Sequence, residues 1–112
     1  MKSPNRDLRK PACIFGALGD ETRLRLVARL SGSEPLSITQ LAAGTGLTRQ
    51  GITKHLHVLA NAKLIRPRKE GREQQWSLNT ARIEEARKML DNIGRAWDDK
   101  LSRLKALAEG DL

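Results

Sequence analysis

The segment from Ser37 to Ala62, SITQLAAGTGLTRQGITKHLHVLANA, constrains the fold of this 112-residue chain more than any other part of it. Ser37 and Gln40 have the spacing of a capping box, in which two side chains bond to each other's backbone at the start of a helix. The short helix that they open is broken by the tight turn Gly44-Thr45-Gly46, after which Thr48 can cap a second helix. Two short helices joined by a glycine-containing turn form a helix-turn-helix.

The outer face of the second helix, which is predicted over residues 48–62, carries no carboxylate. At 100° per residue, Ile52, Leu56 and Leu59 fall on one side, which faces the core. The opposite side and the exposed helix start hold hydrogen-bond donors and cations: Thr48, Arg49, Gln50, Thr53, Lys54 and His57. A helix fits the major groove of B-DNA, where Arg reads guanine, Gln reads adenine and Thr pairs with either. This face is therefore predicted to read double-stranded DNA.

Residues 64–78 change from a helical period to short alternating segments around Glu70-Gly71-Arg72, where the glycine allows a tight turn. The pattern predicts a small β-hairpin with three basic residues at its tip, namely Arg68, Lys69 and Arg72. A helix-turn-helix that is followed at once by such a hairpin is a winged helix. The basic tip is predicted to lie along the DNA backbone or in the adjacent minor groove.

A last helix is predicted over residues 81–108, with Thr80 as its N-cap and apolar residues three or four positions apart. At roughly 1.5 Å per residue it would extend about 40 Å, which is longer than the rest of so small a domain can cover. Its exposed apolar stripe needs a second chain, so a homodimer is predicted, with this helix paired to the first one. The predicted interface residues are Ile83, Leu90, Ile93, Trp97, Leu101 and Leu104.

The remaining segments complete one domain over residues 11–108, preceded by a basic arm over residues 1–10. One helix is predicted from Pro11 to about Leu18, and another from Glu21 to Leu30 with Asp20 as its N-cap. The apolar stripe of that second helix is predicted to comprise Leu24, Val27, Ala28 and Leu30. Its arginines are predicted to project outward: Arg23, Arg25 and Arg29. The predicted fold class is mainly α with a small β-hairpin, a dimeric winged helix-turn-helix.

The net charge of +8 is concentrated in the middle of the chain. Residues 47–76 contain seven bases and two acids, whereas residues 81–108 contain seven bases and five acids. A polyanion is the natural partner of such a surface. Neither a signal peptide nor a membrane-spanning run is found, and the single Cys13 favours a reducing compartment, so the predicted location is cytoplasmic. Cys13 itself is interpreted as an inert core residue, with a redox switch as the alternative.

The order of these elements and several motifs resemble the ArsR family of bacterial winged-helix repressors. The resemblance rests on ALGDETRLRLVARL (Ala17 to Leu30), SITQLAAGTGLTRQGITKHLHVL (Ser37 to Leu59) and LIRPRKEGREQQWSL (Leu64 to Leu78). It implies a homodimer that binds an operator and is usually released from it by a signal. It also implies that the base-reading positions are Arg49, Gln50, Thr53 and Lys54. Lys63 departs from the pattern, because the family usually has Gly closing the recognition helix.

The metal sites for which that family is best known have no counterpart in this sequence. The family usually has a thiolate pair where this chain has ITQLAAG, without Cys, and residues 81–112 contain no His. His55 and His57 diverge by about 200° on a helix and cannot share one metal. His55 is interpreted as a partly buried packing residue, and His57 as either a phosphate contact or a solvated side chain. The last helix looks like the non-metal branch of the family, and we expect neither a metal nor a cofactor.

Other classes of function find less support in the residues. The chain lacks a phosphate-binding glycine loop and a His placed with a nucleophile and an orienting group, so we expect no enzymatic activity. The alternative is a winged helix that serves as a protein-interaction or RNA-binding module. Single-stranded RNA is usually read by exposed stacking aromatics, whereas Phe15, Trp76 and Trp97 are interpreted as packing residues. The favoured interpretation is therefore a homodimeric repressor that binds a DNA operator.

Overall fold

The computed structural model describes residues 8–109, which form five α-helices and one three-stranded antiparallel sheet. The elements in chain order are α1 (Arg9–Leu18), α2 (Glu21–Ser31), β1 (Leu36–Ser37), α3 (Ile38–Ala42), α4 (Arg49–Asn61), β2 (Ile65–Glu70), β3 (Glu73–Leu78) and α5 (Thr80–Ala108). This order confirms the predicted fold class, which is mainly α with a small β-hairpin. The greater part of the predicted basic arm, residues 1–7, lies outside the described residues.

The buried face of α2 differs from the predicted one. Its buried residues are Leu26, Val27 and Leu30, whereas Leu24 is 53% exposed and Ala28 is also exposed. The centre of the stripe formed by positions 26, 27 and 30 lies about 50° beyond residue 26 on a helical wheel, and positions 24 and 28 both fall more than 100° away from it. The predicted stripe was therefore wrong at two of its four positions.

Because the buried stripe lies at positions 26, 27 and 30, Arg23 falls on the side of α2 that faces the protein. Its Nε donates a hydrogen bond of 2.7 Å to the carbonyl oxygen of Ala17, at the end of α1. Arg29 stays exposed as predicted, and its Nη1 donates to the carbonyl oxygen of Leu41 at 3.0 Å. Arg25 also projects outward as predicted, and it pairs with Glu21 one turn earlier. The outward prediction was wrong for Arg23 because the unpaired carbonyl oxygen at the end of α1 accepts a hydrogen bond from its guanidinium group.

The core is an aliphatic cluster to which every helix and the sheet contribute. Its fully buried members are Ile14, Leu26, Leu41, Ile52, Leu56, Leu59 and Leu64.

On α1 the buried positions are Ile14 and Ala17, so Cys13 lies on the exposed side of that helix. The interpretation of Cys13 as a core residue was therefore wrong. The helix begins two residues earlier than predicted, at Arg9, and Pro11 lies in its first turn, where its missing N–H leaves no hydrogen bond unmade.

The sheet has one strand more than the sequence predicts. Strands β2 and β3 form the expected hairpin, with Ile65 opposite Leu78 and Gly71 at a φ of 64° in the turn. The two-residue strand β1 pairs with the other edge of β3, which places Leu36 opposite Trp76. A strand of two residues has no detectable period, so only the paired structure shows it. The resulting order is β1-β3-β2, and β3 with the buried Trp76 is central.

Helix α5 begins at Thr80, one residue before the predicted start, and Asn79 rather than Thr80 holds the N-cap position. Its first turns pack on α1 and bury Ala86, while residues 8–109 together extend 69 Å along their longest axis. The prediction of Thr80 as cap was wrong because Thr80 is already the first helical residue. Asn79, in the N-cap position, makes no side-chain capping bond, and its amide donates to the carbonyl oxygen of Lys63 instead. Among residues 8–109, no helix has both the length and the hydrophobicity to cross a membrane.

Candidate nucleic-acid interface

Local capping interactions fix the start of each helix in the helix-turn-helix. In α3, the backbone N–H of Gln40 donates to Ser37 Oγ at 3.2 Å, and the N–H of Ser37 donates to Gln40 Oε1 at 2.8 Å. In α4, the N–H of Gly51 donates to Thr48 Oγ1 at 3.0 Å. The turn between the helices uses Gly44 and Gly46, which have φ values of 79° and 75°. Side-chain-bearing residues rarely adopt this backbone conformation.

Helix α4 is anchored by Ile52, Leu56 and Leu59, whose side chains are completely buried. This anchoring turns the opposite side of the helix toward solvent. One open depression on that side is lined by Arg49, Gln50, Thr53, Lys54 and His57. Thr48, the sixth predicted residue, lies at the N-cap and is exposed. The structure thus brings five of the six predicted residues of α4 together on one surface, which contains no carboxylate.

Two hydrogen bonds order the N-terminal end of this surface. Arg49 Nη1 donates to Thr39 Oγ1 at 3.0 Å, which links the first residue of α4 to the first turn of α3. Thr53 Oγ1 donates to the carbonyl oxygen of Arg49 at 2.8 Å, which links the first two turns of α4. Both ends of Arg49, its carbonyl oxygen and its guanidinium, are therefore held by threonine hydroxyls.

The three basic residues of the hairpin, Arg68, Lys69 and Arg72, are all exposed. Arg68 and Lys69 are successive residues of β2, so their side chains point to opposite faces of the strand. Arg72 lies in the turn between the strands. Arg68 Nε is 3.9 Å from Glu70 Oε1, and this carboxylate offsets part of its charge. The hairpin tip therefore presents cationic side chains in more than one direction instead of as a single row.

The structure also shows two polar residues near these surfaces that sequence analysis did not assign to them. Arg66 is exposed on β2, on the same strand face as Arg68, and its Nη2 donates to Asn79 Oδ1 at 3.3 Å. The period of two along the strand could have identified Arg66. Thr39 is the partner of Arg49, ten residues away on another helix. No local signal could have identified that pair.

Behind the outer face of α4, a polar cluster connects it to α2. His55 is half-buried, with Nδ1 3.4 Å from Arg23 Nη1 and 3.8 Å from Asp20 Oδ2. The hydrogen bond that the backbone N–H of Arg23 donates to Asp20 lowers the pKa of this carboxyl group below its ordinary value, and the charges of Arg23 and His55 lower it further. His57, in contrast, is exposed among the polar residues of the depression. The two histidines therefore face different surroundings.

Most of the predicted dimer interface is exposed in the single chain. Ile83 packs partly against the chain's own core, whereas the other five residues are between 44% and 59% exposed: Leu90, Ile93, Trp97, Leu101 and Leu104. These apolar residues lie on the part of α5 beyond the buried Ala86.

Among residues 8–109, no three His, Cys, Asp or Glu side chains come together in a way that could hold a metal ion.

Comparison with known proteins identifies relatives along almost the whole chain. Residues 18–68 match the family described as a helix-turn-helix domain. The HTH-type transcriptional regulator Rv2034 of Mycobacterium tuberculosis is 32% identical over 105 residues, which cover 92% of this chain and 94% of that protein. The arsenical resistance operon repressor of Escherichia coli is 29% identical over 94 residues, covering 84% of this chain and 80% of the repressor.

Solved structures have the same architecture. An ArsR-like transcriptional regulator from Rhodococcus sp. RHA1 superposes with a TM-score of 0.75 at 34% identity, over 90% of this chain and 94% of the regulator. A domain from Mycobacterium bovis, described as a homodimeric winged helix-turn-helix DNA-binding domain, superposes with a TM-score of 0.61. Because that domain is only 19% identical, over 91% of this chain and 95% of its own length, it supports the fold alone.

Proposed function

Since the chain belongs to the ArsR family of winged helix-turn-helix transcriptional repressors, we propose that two copies of it bind an inverted repeat in double-stranded DNA. The observation that carries this proposal is the outer side of α4, where five donor or cationic side chains line one depression without a carboxylate. DNA offers phosphate oxygens and the acceptor edges of guanine and adenine, which such a surface can bind.

The outer side of α4 is the proposed recognition surface, formed by Thr48, Arg49, Gln50, Thr53, Lys54 and His57. Arg49 would read guanine and Gln50 adenine, since their side chains offer paired hydrogen-bonding groups that match these bases in the major groove. The methyl group of Thr53 would contact thymine, because the hydroxyl group donates to the carbonyl oxygen of Arg49. Lys54 and His57 would approach the phosphates or base edges farther along the groove. The complete burial of three residues on the opposite side supports this role, because it holds the helix rigidly.

The hairpin is proposed to contact the DNA backbone through Arg68, Lys69 and Arg72. Because Arg68 and Lys69 point to opposite faces of β2, the two are proposed to contact different phosphates. Contacts of this kind add affinity that depends strongly on salt and little on base sequence. The neighbouring Glu70 lies 3.9 Å from Arg68 and offsets part of its charge, so Arg72 is proposed to contribute more than Arg68.

The second copy is proposed to cover the exposed stripe of α5. Five large apolar residues that are at least 44% exposed lie along one side of a helix whose C-terminal half lacks packing partners within the described chain. Two-fold pairing through this stripe would place the two α4 helices about 34 Å apart, which is one turn of B-DNA. The homodimer would act on the chromosome of a prokaryotic cell and thus in the cytoplasm. We propose that neither a metal nor a cofactor is required for binding.

The test is selection of fragments from sheared genomic DNA of the source organism, followed by footprinting of the enriched fragments with purified protein. An inverted repeat with two protected half-sites about one helical turn apart is expected. A double variant, Arg49→Ala with Gln50→Ala, should lose the enrichment, while Thr80→Val, at the start of α5, serves as a matched control. Absence of both enrichment and salt-dependent DNA binding would favour the alternative, a protein-interaction or RNA-binding module.

A further inference from the structure

A hydrogen bond across the helix-turn-helix holds the guanidinium group of Arg49. Arg49 is the first residue of α4, and its Nη1 donates to Thr39 Oγ1 at a distance of 3.0 Å. Thr39 is the second residue of α3 and, like Arg49, is exposed. The bond therefore lies on the surface of the protein, between the two helices, at one end of the depression that Arg49 lines.

The bond to Thr39 uses one corner of the guanidinium group and leaves its other edge for a ligand. Arginine has five N–H donors in one plane, and the pair on Nε and Nη2 is parallel. A parallel pair of donors matches O6 and N7 of guanine, which is the commonest specific contact between Arg and a base. Nη1 can thus bind Thr39 while Nε and Nη2 face a base edge.

The anchor on α3 is rigid. The capping box of Ser37 and Gln40 fixes the start of the helix, and Leu41 is completely buried in the core. Arg29 adds a hydrogen bond of 3.0 Å from α2 to the carbonyl oxygen of Leu41. Thr39 itself is β-branched, so its χ1 angle has few accessible values in a helix. A long, flexible side chain that is bonded to such an anchor loses less entropy when it binds a base.

We infer that Thr39 is a positioning residue, which holds Arg49 for base reading and so sets the base preference at one position of each half-site. This inference rests on the proposed function, in which Arg49 reads a base edge. Thr39 acts through Arg49. Because Thr39 carries no charge that could neutralise a phosphate, we expect it to affect base specificity and not the salt-dependent affinity for any DNA. The opposite role would be to hold Arg49 away from DNA, and removal of the hydroxyl group would then increase affinity.

The variant Thr39→Val removes the hydroxyl group and keeps the branched shape of the side chain. Affinity for the selected operator should fall about fivefold, as for the loss of one ordinary hydrogen bond at an exposed site. The preference for one base pair in each half-site should weaken, while affinity for random DNA and the dependence on salt should stay unchanged. Thr39→Ser should restore the preference, because it restores the acceptor. Thr80→Val is the matched control, and circular dichroism shows that each variant is folded.

A double-mutant cycle with Arg49→Ala identifies the route of the effect. If Thr39 acts through Arg49, adding Thr39→Val to Arg49→Ala should cause no further loss of affinity. A preference that survives in Thr39→Val, an equal loss on operator and random DNA, or a gain in affinity would each overturn the inference. So would an Arg49→Ala variant that keeps the full base preference. If the unaltered protein itself shows no base preference, the proposed function fails, and this inference fails with it.

Discussion

Asn79, the residue before α5, donates a hydrogen bond of 2.8 Å from Nδ2 to the backbone carbonyl oxygen of Lys63, which follows α4. Lys63 has a φ of 63°, and no other non-glycine residue among positions 8–109 has a positive φ. The N–H of Lys63 donates to the carbonyl oxygen of Ala60, and the N–H of Leu64 to that of Leu59. These two bonds form a Schellman motif, which ends α4 with Lys in the position that Gly most often occupies.

Replacing Lys63 with Gly should stabilise the protein. The left-handed conformation costs a residue with a side chain roughly 1–2 kcal/mol, which Gly would not lose. The greater backbone entropy of Gly in the unfolded chain offsets part of this gain in stability. We expect the free energy of unfolding to rise by about 0.5–1 kcal/mol, measured by urea denaturation at one fixed protein concentration. The DNA-contacting side chains of α4 should remain in place, so operator affinity should not change.

Lys54→Gly is the matched control for this effect, since it also exchanges an exposed Lys for Gly but inside α4. Glycine in a helix interior lowers stability by about 1 kcal/mol, so this variant should be less stable than the unaltered protein. Equal changes of stability in the two variants would show that the backbone of Lys63 is not strained in solution.

The stability of the N-cap of α2 should depend on pH. The pKa of Asp20 is lowered in the folded protein, chiefly by the hydrogen bond from the backbone N–H of Arg23. A carboxyl group whose pKa is lower when folded adds stability above its unfolded pKa, and this stability is lost as the pH falls through the folded pKa. The contribution of Asp20 should therefore be complete above about pH 5 and should decline as the pH falls below that value.

The comparison that isolates this effect is between the unaltered protein and Asp20→Asn, because Asn also caps helices well but does not titrate. The free energy of unfolding of the unaltered protein, minus that of Asp20→Asn, should increase as the pH rises from about 3 to 5 and should then remain level. The titration of other carboxyl groups is common to both proteins and cancels. A difference that is constant over this range would contradict the assigned cause.

The elements that could be predicted are those with local signals. The starts of α3 and α4 could be predicted from capping side chains, which are those of Ser37, Gln40 and Thr48. The capping hydrogen bonds of all three are present. The features that could not be predicted depend on partners far along the chain. Strand β1 exists because Leu36 meets Trp76, and Arg23 turns inward because the carbonyl oxygen of Ala17 accepts its hydrogen bond. The pairing of Arg49 with Thr39 depends in the same way on two helices that have already packed.

Base reading by α4 and backbone binding by the hairpin should give different mutational signatures. On the selected operator, Arg49→Ala or Gln50→Ala should cost roughly 1–3 kcal/mol and should relax the preference at particular base pairs. Arg68→Ala or Arg72→Ala should weaken binding to all sequences alike and reduce the salt slope by about one for each lost phosphate contact. The measurement is affinity for operator and random DNA over a series of salt concentrations. Equal losses on both DNAs for all four variants would show that α4 does not read bases.

Metal ions should have little effect on DNA binding. Among residues 8–109 no group of His, Cys, Asp and Glu is arranged as a metal site, and Cys13 lies on the exposed side of α1. Zinc, copper or arsenite added to metal-free protein should therefore leave operator affinity nearly unchanged. The measurement combines titration of each ion with a DNA-binding assay. Stoichiometric binding at sub-micromolar affinity, together with release from DNA, would refute this expectation.

The dimer can be tested without disturbing the fold of the single chain, because Trp97 is 58% exposed within it. Trp97→Glu places a charge in the centre of the apolar stripe, where burial against a second copy would remove it from water at a high cost in free energy. We expect a monomer that keeps its helical content, as measured by sedimentation and circular dichroism. Ile93→Asp should have the same effect, since it lies one turn earlier on the same side of α5.

Ser102→Glu is the matched control for the dimer, because it adds the same charge to α5 at about 140° from Trp97 on the helical wheel. It should leave the protein dimeric and able to bind the operator. Trp97→Glu, in contrast, should bind DNA only at the non-specific level, because one recognition helix contacts only one half-site. The loss would occur although none of the proposed DNA-contacting residues has changed. Sedimentation of the unaltered protein as a stable monomer at micromolar concentration would rule out the proposed dimer. The apolar stripe of α5 would then remain exposed to water in the active protein.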